Sequence, residues 1–120
     1  MKKIAKITFD LLHMADKKMN ILDWGCGCGS KMGWFREWNK NVKNFGLDLN
    51  PENIQYATEN KYIDYGVSGD ASKLEWIPTA SFDRVVSFAA VYHLPLDAQC
   101  RVYKEWVRIL KPNGIAYNGW

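Results

Sequence analysis

A chain of 120 residues, 48% of them hydrophobic and 24% charged, has room for one folded domain with a continuous core. The net charge of +3 is small and its lysines and arginines are spread along the chain, which disfavours a nucleic-acid-binding surface. No apolar run approaches the ~20 residues that cross a bilayer, and neither a signal peptide nor a disulfide framework is evident. We therefore expect a single cytoplasmic domain over residues 1–120, with no membrane association.

The first predicted element is an amphipathic helix within residues 1–19. Its apolar residues recur at helical spacing and predict one buried stripe, formed by Ile4, Ile7, Leu11, Leu12 and Ala15. A short apolar run at residues 21–24 then predicts a buried strand that leads into a glycine-rich loop. Ser30 is the expected N-cap of a second helix that reaches about residue 39.

The remaining elements alternate between strand and helix. Strands are predicted at residues 44–49, 63–67, 82–88 and 115–120, with a loop over residues 70–80. Asn50 followed by Pro51 indicates an N-cap and first helical residue, which predicts a helix over 51–59. A long helix is expected from residue 96 or 97 to residue 110, where the sequence Lys-Pro-Asn-Gly follows.

This alternation predicts an α/β fold, a Rossmann-like, doubly wound parallel sheet with helices on both faces. The expected strand order is 3-2-1-4-5, so a ligand would bind at the switch point beside the first strand. The fifth strand would form an open edge of the sheet with unpaired backbone groups.

The loop Asp23-Trp24-Gly25-Cys26-Gly27-Cys28-Gly29 is the sharpest motif in the sequence. Alternate glycines let the backbone turn with positive φ and approach a ligand closely, and the following helix offers unpaired N–H groups to an anion. The dinucleotide fingerprint has its third glycine three positions after the second, whereas here position 30 is serine. The spacing therefore favours a shorter anion, such as the carboxylate of an amino acid, over a pyrophosphate.

Asp48 ends the second predicted strand, 23 residues after Gly25. In nucleotide-binding βαβ units an acid at this distance accepts hydrogen bonds from ribose hydroxyls. The alternative is that Asp48 caps the next helix. Because Asn50 already supplies a cap, we favour the ribose role.

Five segments in this order resemble the motifs of class I S-adenosylmethionine-dependent methyltransferases, and they cover nearly the whole chain. They read Ile-Leu-Asp-Trp-Gly-Cys-Gly-Cys-Gly (21–29), Gly-Leu-Asp-Leu-Asn (46–50), Gly-Asp-Ala (69–71), Ser-Phe-Asp-Arg-Val-Val-Ser (81–87) and Arg-Ile-Leu-Lys-Pro-Asn-Gly (108–114). The resemblance implies S-adenosylmethionine as the cofactor and a small molecule as the methyl acceptor.

The same resemblance implies roles for individual residues. The methionine end of the cofactor would lie along Gly25, Cys26 and Gly27, with Asp23 near its ammonium group. Asp48 would hold the ribose while Leu49 packs beside the adenine. The remaining cofactor-binding residues are Asp70 and Ala71, which would meet the adenine amino group and ring, and Ser87 and Phe88, which would line the cofactor near the sulfonium.

The chain departs from the family pattern in two places. Asn113 replaces a glycine in the last motif, a mild change because asparagine tolerates the left-handed conformation. The usual sixth and seventh strands are also lacking. Either the sequence is part of a longer chain, or a reduced methyltransferase covers its open edge by forming a homodimer, and we prefer the second reading slightly.

Tyr92 and His93 follow the fourth strand, where this family often places acceptor-side residues, and they are the candidate catalytic residues. A histidine side chain suits a general base near neutral pH, but a role of His93 in packing against the cofactor or capping a helix is favoured over it. Cys26 and Cys28 lack two further ligands at suitable spacing, so no metal site is expected.

Three functions are compatible with these motifs. The leading hypothesis is methyl transfer from S-adenosylmethionine to an unidentified acceptor. A non-catalytic cofactor-binding or interaction module that acts with a partner chain is the alternative. A nicotinamide-dependent oxidoreductase is disfavoured by the glycine spacing.

Overall fold

The computed structural model describes residues 1–15, 17–88 and 90–119. Its helices are α1 (Lys2–Leu11), α2 (Ser30–Trp38), α3 (Pro51–Glu59) and α4 (Leu96–Ile109), with a 3₁₀ turn at Val91–His93. Its strands are β1 (Met19–Trp24), β2 (Val42–Asp48), β3 (Tyr65–Ser68), β4 (Phe82–Phe88) and β5 (Leu110–Gly119).

The strands form one five-stranded sheet in the order β3-β2-β1-β4-β5, and every neighbouring pair is parallel. This confirms the predicted fold class and strand order. Parallel pairing aligns the carboxyl ends of β1, β2 and β4 along one edge of the sheet, the edge at which open α/β sheets bind ligands. The central strand β1 is buried over almost its whole length, as expected for a strand covered on both faces.

Two buried clusters lie on opposite faces of the sheet and confirm that helices cover both faces. One cluster joins α1, α2 and α3 to the sheet and includes Phe9, Ile21, Phe35 and Ala57. The other joins α4 and the segment before β4 to the sheet through residues such as Leu22, Leu74, Val102 and Trp106. Successive β1 residues alternate between the two clusters because side chains of a strand alternate in direction.

The buried face of helix α1 differs from the predicted one. Ile4, Ile7 and Leu11 are 53%, 53% and 64% exposed, whereas the buried face carries Ala5, Thr8, Phe9 and Leu12. The large Phe9 ring decides the orientation, because it packs 6.0 Å from the Phe35 ring and 5.4 Å from the Trp38 ring, centroid to centroid. The Thr8 hydroxyl donates to the Ile4 carbonyl, so its burial leaves no unpaired donor.

Helices α2 and α3 begin differently. The predicted Ser30 cap is wrong: Gly29 occupies the N-cap position in the left-handed conformation, and Ser30 is the first residue of α2. No side chain of the described residues caps α2, and its first amide groups have no intrahelical partner. The predicted cap of α3 is confirmed, because the Asn50 side chain accepts from the Glu52 amide and Pro51 is the first helical residue.

Strand β5 starts earlier than predicted, directly after α4. Phe82 pairs with Leu110 and Arg84 with Ile115, so the Lys-Pro-Asn-Gly segment forms an irregularity within the strand. Asn113 has φ 68°, which agrees with its expected left-handed conformation. Strands β5 and β3 form the two edges of the sheet. Trp120, placed at the end of the predicted fifth strand, lies outside the described residues.

None of the helices in the described part of the chain is long and apolar enough to cross a membrane.

Asn39 anchors the connection between α1 and β1, and its substitution provides a test of the fold. Its buried amide donates to the carbonyls of Met14 (2.7 Å) and Lys17 (2.8 Å), while its oxygen accepts from the Asn41 amide (2.9 Å). We expect Asn39→Ala to lower the free energy of unfolding by about 2–4 kcal/mol, because each lost bond is worth about 1 kcal/mol and the two carbonyls lose their partner.

Urea unfolding of this variant measures the loss, with the exposed Asn60→Ala as a control that we expect to change stability by less than about 1 kcal/mol. Equal effects of the two substitutions would contradict the anchoring role.

Candidate functional site

The glycine loop after β1 is held against the end of β2. The amides of Gly25 and Cys26 both donate to the Leu47 carbonyl, at 2.7 and 2.9 Å, and the Gly27 amide donates to the Asp48 carboxylate at 3.1 Å. Three consecutive amides are therefore satisfied by two residues of the neighbouring strand. This arrangement fixes the path of the loop at the carboxyl edge of the sheet.

The three alternate glycines have positive φ, as the sequence predicted, but for two different reasons. A Cβ at Gly29 (φ 84°) would lie 2.7 Å from the Cβ of Ala57, so this glycine permits contact between α2 and α3. A Cβ at Gly27 (φ 56°) would meet no atom within 4 Å. Gly27 therefore borders open space, where a ligand can approach the backbone.

Asp23 is a buried carboxyl group at the end of β1. Its residue is 1% exposed, and neither carboxyl oxygen has a hydrogen-bond partner among the described residues. The pKa of Asp23 is raised from 3.8 to about 7. Burial is the main cause of this increase, the positive charge of Lys31 opposes it, and the negative charge of Asp48 adds to it. An orphaned carboxylate in this position can attract a cationic or hydrogen-bond-donating ligand.

Lys31 is a site residue that the motif analysis missed. It lies in the first turn of α2, and its ammonium nitrogen is 4.7 Å from the centroid of the Phe88 ring at the end of β4. A positive charge is unfavourable in the first turn of a helix because the helix dipole is positive there. The presence of a lysine two residues after Gly29 was therefore the sequence signal that could have indicated a functional role for Lys31.

Asp48 does not cap α3, whose N-cap is Asn50, but its carboxylate accepts hydrogen bonds from donors at the start of that helix and in the glycine loop. One carboxyl oxygen accepts from the Asn50 amide and the Asn53 side chain, both at 3.0 Å, while the other accepts from Gly27. Asp48 therefore joins the glycine loop to the start of α3. The next residue, Leu49, is 75% exposed and leaves an apolar side chain uncovered beside the carboxylate.

The Asp70–Ala71 segment is held in place by a buried tryptophan. The Trp24 indole N–H donates to the Ala71 carbonyl at 2.7 Å, and its ring packs edge-on against Trp106. Asp70 is exposed, and hydrogen bonds from the Ser72 hydroxyl and amide lower its pKa. Trp24 thus ties the end of β1 to the loop after β3.

Two other predicted cofactor-binding residues are buried. The Ser87 hydroxyl has no hydrogen-bond partner among the described residues, and Ser87 lies two positions before the chain leaves the sheet. The Cys26 thiol faces Gly46 rather than the loop exterior, with its sulfur 2.9 Å from the position of a Cβ there. Burial, with smaller contributions from Asp23 and Asp48, raises the pKa of Cys26 to about 12.

The residues described include no group of three or more acidic, histidine or cysteine side chains that could hold a metal ion.

Tyr92 and His93 lie on the 3₁₀ turn after β4, and both are exposed. Their rings are 4.2 Å apart between centroids, and the His93 amide donates to the Ala90 carbonyl at 3.3 Å. A Cβ at Gly25 would lie 3.0 Å from the Cβ of Ala90. The turn that carries both candidate catalytic residues therefore begins in contact with the glycine loop.

A groove of about 500 Å³ lies away from these residues, and residues of β2, β3 and the segment before β4 line it. Its walls are largely apolar, with Phe45, Tyr65 and Trp76 among them. None of the predicted cofactor-binding residues borders this groove. The charged and orphaned polar groups place the candidate site at the glycine loop instead.

Comparisons with known proteins identify the family of this chain. A family model described as a methyltransferase domain matches residues 22–118. Sterol 24-C-methyltransferase of Aspergillus fumigatus is 37% identical over 122 residues, which cover 93% of this chain and 31% of that protein. Malonyl-[acyl-carrier protein] O-methyltransferase of Pectobacterium atrosepticum is 30% identical over 104 residues, covering 87% of this chain and 39% of that protein.

Solved structures give the same fold. A TehB-like SAM-dependent methyltransferase from Corynebacterium glutamicum matches with a TM-score of 0.74 and 29% identity, over 97% of this chain and 64% of that one. The PH0226 protein from Pyrococcus horikoshii matches with a TM-score of 0.77 and 25% identity, over 95% of this chain and 54% of that one. The chain spans between three and four tenths of the length of these two curated relatives.

The raised pKa of Asp23 predicts an unusual pH dependence of stability. Between pH 3.8 and about 7 the folded chain holds a proton on Asp23 that the unfolded chain has released, so stability falls as the pH rises through this window. The full effect is about 4 kcal/mol, at 1.36 kcal/mol for each pH unit. We expect Asp23→Asn to be more stable than the wild type at pH 8 by up to this amount.

Urea unfolding at pH 5 and pH 8 checks this expectation. At pH 5 the wild type carries a neutral carboxyl, so the two proteins should differ little, whereas the exposed Asp10→Asn control should show no such pH-dependent gain. A loss of stability in Asp23→Asn at both pH values would overturn the assignment of a strained, unpaired carboxylate.

Proposed function

The chain belongs to the family of methyltransferase domains, and we propose that residues 1–120 bind S-adenosylmethionine at the glycine loop and transfer its methyl group to a small-molecule acceptor. The orphaned, buried Asp23 beside the open face of Gly27 is the observation that carries this proposal. An amino-acid ammonium group would supply the partner that this carboxylate lacks. The sulfonium, when the cofactor is bound, makes the methyl carbon electrophilic.

The amino-acid end of the cofactor fits the loop. Gly25 and Gly27 keep the backbone free of side chains, and Asp23 supplies a negative charge that is already desolvated. The Cys26 side chain points toward Gly46, so Cys26 would contribute only its backbone to this end. Desolvation matters because an ion pair formed in a site of low dielectric is stronger than one formed in water.

The adenosine end fits the edge between β2 and the loop after β3. One carboxylate oxygen of Asp48 accepts hydrogen bonds from two donors, and the other accepts one from the Gly27 amide. Each carboxylate oxygen can accept more than one hydrogen bond, so Asp48 can also accept from ribose hydroxyls. Leu49 offers exposed apolar surface for the adenine. Asp70 and Ala71 would recognise the ring edge, with Ala71 positioned by Trp24.

The remaining residues would act near the reacting methyl group. Phe88 and Ser87 end β4, and the turn with Tyr92 and His93 follows. Methyl transfer is an in-line displacement, so these residues need mainly to align the acceptor and exclude water. His93 would remove a proton from acceptors that must lose one.

Binding of S-adenosylhomocysteine, measured by isothermal titration calorimetry, tests the cofactor assignment. We expect Asp48→Asn to weaken binding roughly 10–100-fold, because hydrogen bonds to a charged group are worth about 1.5–3 kcal/mol. The affinities of the variant and the wild type should differ less for the 2′-deoxyribose analogue than for S-adenosylhomocysteine. This comparison separates the role of Asp48 in ribose recognition from its role in positioning the loop. Asp97→Asn, a substitution on the exposed surface of α4, is the matched control. Absence of binding to the wild type at high micromolar ligand would reject the assignment.

Turnover tests the catalytic part of the proposal. A panel of sterol, carboxylate, amine and phenol acceptors should include at least one that yields S-adenosylhomocysteine. For an acceptor that must lose a proton, we expect His93→Gln to lower kcat by roughly 100-fold while the cofactor Kd stays constant, as expected for loss of a general base.

His13→Asn, which alters a histidine in the turn after α1, should leave kcat unchanged. Cofactor binding without turnover of any acceptor would instead support a non-catalytic module.

Self-association is the partner interaction that the sheet suggests. β5 forms an edge, and its Ala116 and Asn118 are exposed. A second copy that pairs along this edge would satisfy its free backbone groups, because an exposed edge strand is a template for pairing with another chain. Sedimentation velocity across micromolar concentrations tests the homodimer, and a monomer throughout would refute it.

A further inference from the structure

Lys31 and Asp23 carry opposite charges at the same end of the site. Asp23 is paired in the sheet with Val86 of β4, and Phe88, two residues farther along, lies on the same face. The Lys31 ammonium lies over the Phe88 ring, and its charge favours the ionised form of Asp23. Lys31 therefore reaches from the first turn of α2 toward the buried carboxyl group.

Lys31 and Asp23 do not form a direct ion pair. Among the ion pairs of the described residues, none within 4.0 Å involves Lys31, and the Asp23 oxygens accept no hydrogen bond. A lysine has a flexible stem and a compact charge, so it can change partners with little rearrangement. The cation–π contact with Phe88 is worth only about 0.5–2 kcal/mol, which a stronger ionic partner can replace.

We propose that Lys31 is an exchangeable counter-ion. In the ligand-free chain its positive charge offsets the negative charge of Asp23. When the cofactor binds, the cofactor ammonium pairs with Asp23 and Lys31 pairs with the cofactor carboxylate. This inference rests on the proposed function and extends it to a positioning residue that sets specificity for the amino-acid end. An amino-acid group carries its ammonium and its carboxylate on the same carbon atom, so one exchange satisfies Asp23 and Lys31 together. A ligand without the carboxylate would displace Lys31 and leave it unpaired.

The electrostatic surroundings of Asp23 give the exchange a pH signature. Lys31 approaches from α2, Asp48 from β2 and the Cys26 thiol from the loop, while β4 contributes Phe88, which is uncharged. Since the pKa of Asp23 is about 7, cofactor affinity should fall as the pH drops through this value. Removing the Lys31 charge raises the pKa of Asp23, so the fall should begin at higher pH.

The experiment compares S-adenosylhomocysteine with its decarboxylated analogue, which keeps the ammonium group but lacks the carboxylate. We expect wild-type protein at pH 8 to prefer the carboxylated ligand by at least about tenfold, the value of one charge-assisted hydrogen bond. Lys31→Gln should reduce this preference to within about threefold, mainly by weakening the carboxylated ligand. Lys31→Arg should retain the preference, and Lys40→Gln, at an exposed position after α2, is the matched control.

Titration from pH 6 to pH 9 supplies the second measurement, with thermal melting to verify that each variant is folded. An unchanged ligand preference in Lys31→Gln, or a pH profile identical to that of the wild type, overturns the exchange. Failure of S-adenosylhomocysteine to bind the wild type would instead reject the cofactor assignment, so the two failures are distinguishable.

Discussion

The end of β2 determines the geometry of the candidate site, because it accepts hydrogen bonds from three consecutive amides of the glycine loop. The Leu47 carbonyl and the Asp48 carboxylate hold the backbone of residues 25–27 while the chain passes through three left-handed glycines. This path sets where α2 begins, and the start of α2 places Lys31 over Phe88. It also orients the loop so that Gly27 borders open space. A shift of β2 would therefore disturb the loop, the helix and the charge pair together.

At Asp23, stability of the free chain conflicts with the proposed binding of the cofactor. Its burial without a hydrogen-bond partner makes the ionised form unfavourable near neutral pH, a cost that a merely structural residue would not carry. Protein sites often retain such destabilising groups where a ligand supplies the missing interaction. A bound ammonium group would remove the cost, so the ligand-bound chain gains stability from the feature that weakens the free chain.

Sequence patterns predicted the sheet order and the Asn50 cap because both follow from local signals, alternating elements and an Asn-Pro pair. The buried face of α1 was not predictable in the same way. Periodicity groups Ile4, Ile7 and Leu11 together, but only the aromatic contacts of Phe9 with α2 decide which face is buried. The hydrogen bond between Asp48 and the Gly27 amide and the position of Lys31 likewise depend on contacts between distant segments. The motif order therefore predicted a candidate site, while tertiary packing determined which groups within it are paired.

The two cysteines of the glycine loop differ in a way that has a practical consequence for labelling. Cys26 is buried against Gly46 with its pKa raised to about 12, whereas Cys28, two residues later, is exposed. Thiolates are the nucleophiles that attack alkylating reagents, so a maleimide dye would modify Cys28 and spare Cys26. Once the exposed Cys100 on α4 is replaced, a single fluorophore would sit within the loop itself. The loop thus carries its own attachment point for an optical sensor of ligand occupancy.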